Sequence, residues 1–116
     1  LFNHAAAIYK IKKYDIITNI FPRSYPQGMS VELIKTNTFL KIHKKIIIKD
    51  EREHITKYFY RNFNSYKIKN IECASPENLN LKFAVDELSD LKKIENWMLT
   101  KKKDDFERLF PIKSNE

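Results

Sequence analysis

The stretch Tyr14-Asp15-Ile16-Ile17-Thr18-Asn19-Ile20 predicts the fold class of the chain. Its β-branched residues favour a strand, in which successive side chains point to opposite faces of a sheet. Ile16 lies on one face and Ile17 on the other, so both faces are apolar at the centre of the strand. Strands covered on both sides are typical of sheets packed between helices, and we therefore predict an α/β fold.

Outward from this strand, hydrophobic periodicity predicts about four strands alternating with about four helices in a single domain over residues 1–116. The strands are predicted over 14–20, 29–34, 66–73 and 79–85. The helices are predicted over 1–13, 36–47 and 50–61 and after Asp86, followed by a short amphipathic segment over 104–110. Thr36 is the predicted N-cap of the second helix, and Asp50, with Glu53, of the third.

Composition excludes several classes of protein. The chain of 116 residues has a single cysteine, Cys73, which excludes a disulfide framework and a multi-cysteine zinc site. A single glycine, Gly28, excludes the glycine-rich loops that cradle phosphates in P-loop and dinucleotide-binding proteins. Apolar runs such as Ile46-Ile47-Ile48 are far too short to cross a bilayer. We predict a cytoplasmic protein with no membrane partner.

The net charge of +7 suggests nucleic-acid binding, but the choice of basic residues argues against it. Of the 22 basic residues 18 are lysines, and they are spread along most of the chain. Proteins that read bases and phosphates favour arginine, whose planar fork binds two acceptors at once. A small nucleic-acid-binding protein is kept only as an alternative function.

Asp86 follows the predicted strand 79–85 at its carboxyl end, where open α/β sheets bind their ligands. A carboxylate at that position suits magnesium, which binds oxygen ligands and substrate phosphates. The competing interpretation is a simple helix cap, and spacing alone favours the cap.

Two further polar segments have a structural and a functional interpretation. The first segment is Glu51-Arg52-Glu53-His54. In the structural interpretation, its carboxylates complement a helix dipole and Glu53 pairs with Lys57. In the functional interpretation, Arg52 and His54 face an anionic ligand. The proline-stiffened loop over 22–28 offers Arg23 and Tyr25 to a polar ligand such as a sugar, or is an ordinary surface loop. For the first segment the sequence alone favours the structural interpretation, and for the second it suits both interpretations equally.

Two single residues receive structural interpretations. His43 lies on the apolar face of the predicted second helix, which is typical of a core or interface histidine. Cys73 has no basic partner nearby in sequence and is predicted to be a buried strand residue rather than a nucleophile.

Five short motifs, in this order and with compatible spacing, resemble the C-terminal half of the spore-coat-polysaccharide type of cytidylyltransferase. That family is related to the acylneuraminate and Kdo cytidylyltransferases. The motifs are Tyr14-Asp15-Ile16-Ile17-Thr18-Asn19, Pro22-Arg23-Ser24-Tyr25-Pro26-x-Gly28, Val31-Glu32, Glu51-Arg52-Glu53-His54-Ile55-Thr56, and Phe83-Ala84-Val85-Asp86 with Asp90-Leu91. The resemblance covers nearly the whole chain.

The resemblance implies a nucleotidyltransferase that joins CTP to an acidic or related sugar for surface polysaccharide synthesis, using Mg²⁺ and releasing pyrophosphate. It also implies a Rossmann-like sheet, of which this chain holds a part, and assembly as a homo-oligomer. Asp86 matches the family's C-terminal metal-binding aspartate, which favours the metal ligand over the cap. Glu32 matches a position near the sugar, and Arg52 and His54 match the helix start beside the substrate cleft. Arg23 and Tyr25 match the loop near that cleft.

The family's N-terminal half carries the CTP-binding loop and the first metal aspartate, and neither has a counterpart in these residues. We therefore expect this chain alone to have no catalytic residue of its own, to bind little or no Mg²⁺ and to be inactive. The missing half is also expected to leave an apolar surface that promotes self-association, with His43 and the face over 39–47 as candidate contacts. A non-catalytic, self-associating module derived from the same fold is the other alternative function.

Overall fold

The computed structural model of the chain describes residues 1–10 and 13–114. Within these residues it contains a mixed three-stranded sheet, six α-helices and two short 3-10 helices. The strands are β1 (Ile16–Thr18), β2 (Glu32–Ile34) and β3 (Ile68–Asn70). The α-helices are α1 (Phe2–Tyr9), α2 (Thr36–Ile42), α3 (Lys49–Glu53), α4 (Thr56–Arg61), α5 (Leu88–Leu99) and α6 (Lys103–Leu109).

The predicted α/β class is confirmed, with β1 at the centre of the sheet. The strand order is β2-β1-β3, with β2 antiparallel and β3 parallel to β1. All three residues of β1 are buried. Ile17 packs into one core cluster with Tyr25, Ile71 and Phe110. Ile16 packs into a second cluster with Ile42, Ile46 and Phe59. Because side chains alternate along a strand, the two clusters lie on opposite faces of the sheet, as β1 predicts.

The predicted fourth strand over 79–85 is wrong. Leu81 and Phe83 pack against the first core cluster, which accounts for the alternating pattern. Within the described residues, however, its backbone pairs only through a single parallel bridge between Lys82 and Gln27. Gln27 belongs to the loop before β2, so the segment has no strand beside it to extend the ladder.

Two helices of the structure are shorter than the hydrophobic pattern of the sequence predicts. α2 ends at Ile42 instead of continuing to 47, because a turn over 43–45 precedes the Ile46-Ile47-Ile48 run, whose β-branched residues disfavour helix. The helix predicted over 50–61 is broken at His54 into α3 and α4. A continuous helix would hold Asp50 and Arg61 about 16 Å apart along its axis. The break brings Asp50 Oδ2 to within 2.8 Å of Arg61 Nη2.

The predicted helix caps are also corrected. Thr36 is the first helical residue of α2 and not its N-cap, and Ile48 instead of Asp50 precedes α3. Lys57 pairs with Asp50 and not with Glu53, whose own partner is Lys49. The N-cap of α5 is Glu87 and not Asp86, and Asp90 in the first turn accepts the N–H groups of both residues.

The remaining expectations concern the ends of the chain and exposed apolar surface. The predicted first helix ends at Tyr9, and residues 11 and 12 of that prediction lie outside the described residues. Cys73 is buried as predicted, but it pairs with Ile112 in an isolated bridge and not in a strand. In α5, Leu88, Leu91 and Met98 are exposed, whereas Trp97 packs against the first core cluster. In the described part of the chain, no helix combines the length and the apolar character needed to cross a membrane.

Candidate functional site

The carboxyl end of β1 carries three hydrogen-bonded side chains from three different elements. The Tyr60 hydroxyl of α4 donates to Glu32 Oε2 of β2 at 2.5 Å. Thr18 Oγ1 of β1 lies 2.8 Å from the same hydroxyl. A phenol has one proton, and Tyr60 gives it to Glu32, so Thr18 donates to Tyr60. The result is a one-way series of hydrogen bonds that ends on the Glu32 carboxylate, which we call the Glu32 relay.

The fold positions each member of the Glu32 relay. The antiparallel register places Thr18 directly opposite Glu32. Phe59, fully buried in the second core cluster, anchors α4 and so holds its neighbour Tyr60 over the end of the sheet. Thr18 is fully buried, whereas Glu32 and Tyr60 are half-buried. The carboxylate is therefore oriented by the protein and still reachable from solvent.

Burial raises the pKa of the Tyr60 phenol, and the neighbouring Glu32 carboxylate raises it further. Tyr60 consequently keeps its proton at neutral pH and remains a donor to Glu32. Among the described residues, Oε1 of Glu32 has no hydrogen-bond partner, while Oε2 faces Tyr60. Oε1 is thus an acceptor that the site can offer to a ligand hydroxyl.

The loop after β1 forms the wall of this site. Asn70, at the end of β3, accepts from the Phe21 N–H at 3.0 Å and donates to the Pro22 carbonyl at 3.0 Å. The Phe21 ring stacks on Tyr60 with a centroid distance of 4.7 Å. The Phe21–Pro22 peptide bond is cis. These contacts tie the loop to the carboxyl ends of the parallel strands β1 and β3, where α/β sheets bind ligands.

Arg52 and His54 are both exposed, at the end of α3 and directly after it. Arg52 Nε donates to the Ile46 carbonyl at 3.3 Å, and this hydrogen bond holds the arginine side chain against the backbone before α3. Arg52 also lines an open cavity of about 280 Å³ together with His43, Glu51 and Glu53. His43 stacks on Phe39 at 5.8 Å and is exposed rather than buried in a core.

The corner between α3 and α4 is held by an arginine fork. Arg61 Nη2 contacts Asp50 at 2.8 Å and Nη1 contacts the buried Glu51 at 3.1 Å. Lys57 contacts Asp50 from the other side at 2.9 Å. Lys57, followed by Arg61, lowers the pKa of Asp50 below its ordinary value of 3.8. The charged start of α3 is therefore held mainly by ion pairs.

Asp50 should make the corner sensitive to acid. Because its folded-state pKa lies below the ordinary value, its stabilisation is present above about pH 4 and is lost as the pH falls through the folded-state pKa. We expect Asp50→Asn to lower the melting temperature at pH 7 and to flatten its decline below pH 4. The matched control is Glu53→Gln, which alters only an exposed 3.9 Å contact with Lys49. Melting curves from pH 2.5 to 7 that run parallel for Asp50→Asn and the wild type would contradict this role.

Asp86 lies on the surface after the segment 79–85, with its side chain 67% exposed. Its carboxylate contacts the Lys82 ammonium at 2.9 Å, and Asp90 approaches the same ammonium at 3.2 Å. Two carboxylates thus converge on one cation, which is a donor chemistry that suits Mg²⁺. Because Asp90 also accepts backbone N–H groups, Asp86 is the more accessible of the two carboxylates, and its partner is Lys82.

The loop residues Arg23 and Tyr25 have opposite environments. Arg23 is exposed, and its Nη1 donates to Ser30 Oγ at 3.2 Å. Tyr25 is buried in the first core cluster, where its hydroxyl finds no hydrogen-bond partner among the described residues. Burial, and secondarily Cys73, raises the pKa of Tyr25 to about 12. Tyr25 therefore supports the loop from beneath.

The structure does not gather the predicted site residues into one hydrogen-bonded cluster. Glu32 contacts Tyr60, Arg52 contacts Ile46 and Asp86 contacts Lys82; among the described residues, no hydrogen bond or ion pair joins Asp86 to Glu32, Arg52 or His54. No group of three or more metal-ligating side chains occurs in this part of the chain either. Sequence reasoning missed Thr18, although it lies within a motif that carries the resemblance, and Tyr60, which lies four residues after another such motif.

Comparison with known proteins adds no relative: no protein-family model matches the chain, and no curated protein or solved structure is significantly similar to it. The function of the chain is therefore inferred from its site and its sequence motifs.

Proposed function

We propose that this chain is the sugar-binding C-terminal part of a CTP-dependent sugar nucleotidyltransferase with a Rossmann-like sheet. The observation that carries the proposal is the Glu32 relay at the carboxyl end of β1. Glu32 is the residue that the resemblance to cytidylyltransferases matches to the sugar. An oriented carboxylate at the ligand-binding edge of an α/β sheet supports that assignment.

In this proposal, Glu32 recognises the hydroxyl groups of the sugar. Oε1 accepts a sugar hydroxyl, while the bond from Tyr60 to Oε2 fixes the plane of the carboxylate. A hydrogen bond to a charged acceptor is about twice as strong as one between neutral groups, so the ionised Glu32 gives both affinity and orientation. The ordered loop with Phe21 excludes water from one side of the ligand.

Exposed basic side chains serve the negative charges of the substrates. Arg23, Arg52 and His54 are available for the carboxylate of an acidic sugar or for phosphate oxygens. Asp86 contributes one ligand to Mg²⁺, which when bound neutralises charge on the departing pyrophosphate. Tyr25 acts indirectly by packing under the loop that carries Arg23.

Nucleotidyl transfer also needs groups that cradle the triphosphate, and one glycine cannot form a glycine-rich phosphate loop. We expect no sugar-dependent pyrophosphate release when the chain alone is given CTP, Mg²⁺ and a panel of acidic sugars. Fusion behind the nucleotide-binding half of a sugar cytidylyltransferase should give sugar-dependent release. Turnover by the chain alone would contradict the proposal that the nucleotide-binding half supplies the groups that cradle the triphosphate. A folded fusion that is inactive with every sugar would favour the non-catalytic module.

A further inference from the structure

Residues 35–49, which we call the basic-apolar patch, combine positive charge with exposed aliphatic side chains. The segment contains five lysines, one histidine and no acidic residue. Ile47 is 78% exposed, Leu40 55% and Ile48 51%. The patch comprises α2, the turn after it and the start of α3, and its lysines are Lys35, Lys41, Lys44, Lys45 and Lys49.

The exposure of these aliphatic side chains is fixed by the packing of their neighbours. Ile42 and Ile46 are buried in the second core cluster against Ile16 and Phe59. Because this pair anchors the segment from below, Ile47 and Ile48 have no place in the core and remain on the surface. The packing of the core therefore keeps these apolar side chains of the patch on the surface.

Nearby acidic groups do not cancel the charge of the patch. Asp50 and Glu51 are paired with Arg61, and Glu53 makes a 3.9 Å contact with Lys49. Lys41, Lys44 and Lys45 are exposed and make no ion pair within the described residues. The patch thus keeps a net positive charge around its exposed apolar centre.

We propose that the basic-apolar patch docks on the surface of an anionic lipid bilayer. Lysines near such a surface are attracted to acidic headgroups, and exposed aliphatic side chains enter the boundary between headgroups and acyl chains. Ile47 and Ile48 are the inserting residues, and Lys44 and Lys45 contact the headgroups. This function lies beyond the proposed sugar chemistry, and it departs from the sequence-based expectation of no membrane partner.

Two other occupants fit the patch less well. Nucleic acid offers anionic charge, but single strands are bound by stacking on aromatic rings, and the most exposed large apolar residues here are aliphatic. A second copy, expected from sequence to use this face, would bring together two segments over 35–49 that each hold five lysines and no acid. An anionic bilayer satisfies both the charge and the apolar surface.

The test is co-sedimentation of the chain with vesicles of phosphatidylcholine alone or with 30 mol% phosphatidylglycerol added. We expect binding to the anionic vesicles at 50 mM NaCl, and at least tenfold weaker binding to neutral vesicles or at 500 mM NaCl. Ile47→Ser with Ile48→Ser should weaken binding to the anionic vesicles at least tenfold. The control Phe2→Ser removes a comparably exposed ring from α1 and should change binding less than twofold.

Charge reversal at two places separates local docking from general attraction. Lys44→Glu with Lys45→Glu should weaken binding at least tenfold, whereas Lys92→Glu with Lys93→Glu on α5 makes the same change in net charge and should have a much smaller effect. The proposal is overturned by absence of vesicle binding, by equal losses in the two lysine pairs, or by an unaffected isoleucine variant. Sedimentation showing a dimer that the isoleucine variant dissociates would assign the patch to a second copy instead.

Discussion

Gly28→Ala is expected to lower the free energy of unfolding by about 3–5 kcal/mol, the largest stability change among the variants considered. Gly28 has φ +98°, a conformation that residues with a Cβ rarely adopt. A Cβ at this position would lie 2.5 Å from the Phe83 carbonyl carbon and 2.7 Å from the Ala84 nitrogen. Both obstacles are backbone atoms, so relief requires the segment over 81–84 to move away from the loop.

Urea unfolding followed by circular dichroism measures this effect, with Gln27→Ala as the matched control. Gln27 is exposed, and its backbone carbonyl accepts a hydrogen bond from the Phe83 N–H at 2.7 Å. Removing its side chain should therefore change the free energy of unfolding by no more than about 0.5 kcal/mol. Equal unfolding free energies for the two variants would show that residues 81–84 do not depend on close contact with Gly28.

In the fused enzyme described above, Asp86→Asn is expected to reduce turnover by about 100-fold or more. The amide would replace a negatively charged Mg²⁺ ligand by a neutral one at the step where charge develops on pyrophosphate. The same change in the 116-residue chain should leave the melting temperature nearly unaltered. An exposed ion pair contributes little to stability, and Lys82 keeps its contact with Asp90.

Glu87→Gln is the control for this substitution, because it removes a neighbouring exposed carboxylate to which no metal role is assigned. Glu87→Gln should retain turnover within about threefold, which is a smaller change in the activation barrier than the one that alters a rate tenfold. Full turnover of the fused Asp86→Asn enzyme would remove Asp86 from the metal site and leave it as a surface partner of Lys82.

The sequence predicts the centre of the fold better than its periphery. β1 is recognisable because apolar β-branched residues occupy both of its faces, and burial on both faces leaves few other solutions. The segment 79–85 is misread because alternation reports which side chains are buried, not whether a neighbouring strand exists. Leu81 and Phe83 do pack inward, but their backbone lies beside a loop.

Tertiary ion pairs explain the errors at α3 and α4. The stretch 50–61 has a continuous helical pattern, yet contacts from Arg61 to Asp50 and Glu51 require the chain to turn between them. Helical propensity contains no information about partners eleven residues apart, so the sequence cannot place the break at His54. Local capping rules fail at Asp50 for the same reason, since its carboxylate is drawn to Lys57 and Arg61.

Part of the candidate site could be predicted. Glu32 and the carboxyl end of β1 follow from the motifs and from the general location of ligands in α/β sheets. Tyr60 could not be placed, because it lies 28 positions from Glu32 and reaches it only through the packing of α4 on the second core cluster. Tyr25 could not be assigned to the core either, since a proline-rich loop carries no periodicity that distinguishes an inward from an outward side chain.

The central claim is that Glu32 belongs to a sugar site, and direct titration of the ¹⁵N-labelled chain with acidic sugars tests it without requiring catalysis. We predict that at least one sugar shifts the amide signals of Thr18, Phe21, Glu32 and Tyr60. Glu32→Gln should weaken that sugar's affinity about tenfold, the difference between a charged and a neutral acceptor. Glu72→Gln, which alters a separate contact with Lys113, should bind as the wild type does. Sugars that leave these four signals unmoved, or equal affinity in Glu32→Gln and the wild type, would contradict the account.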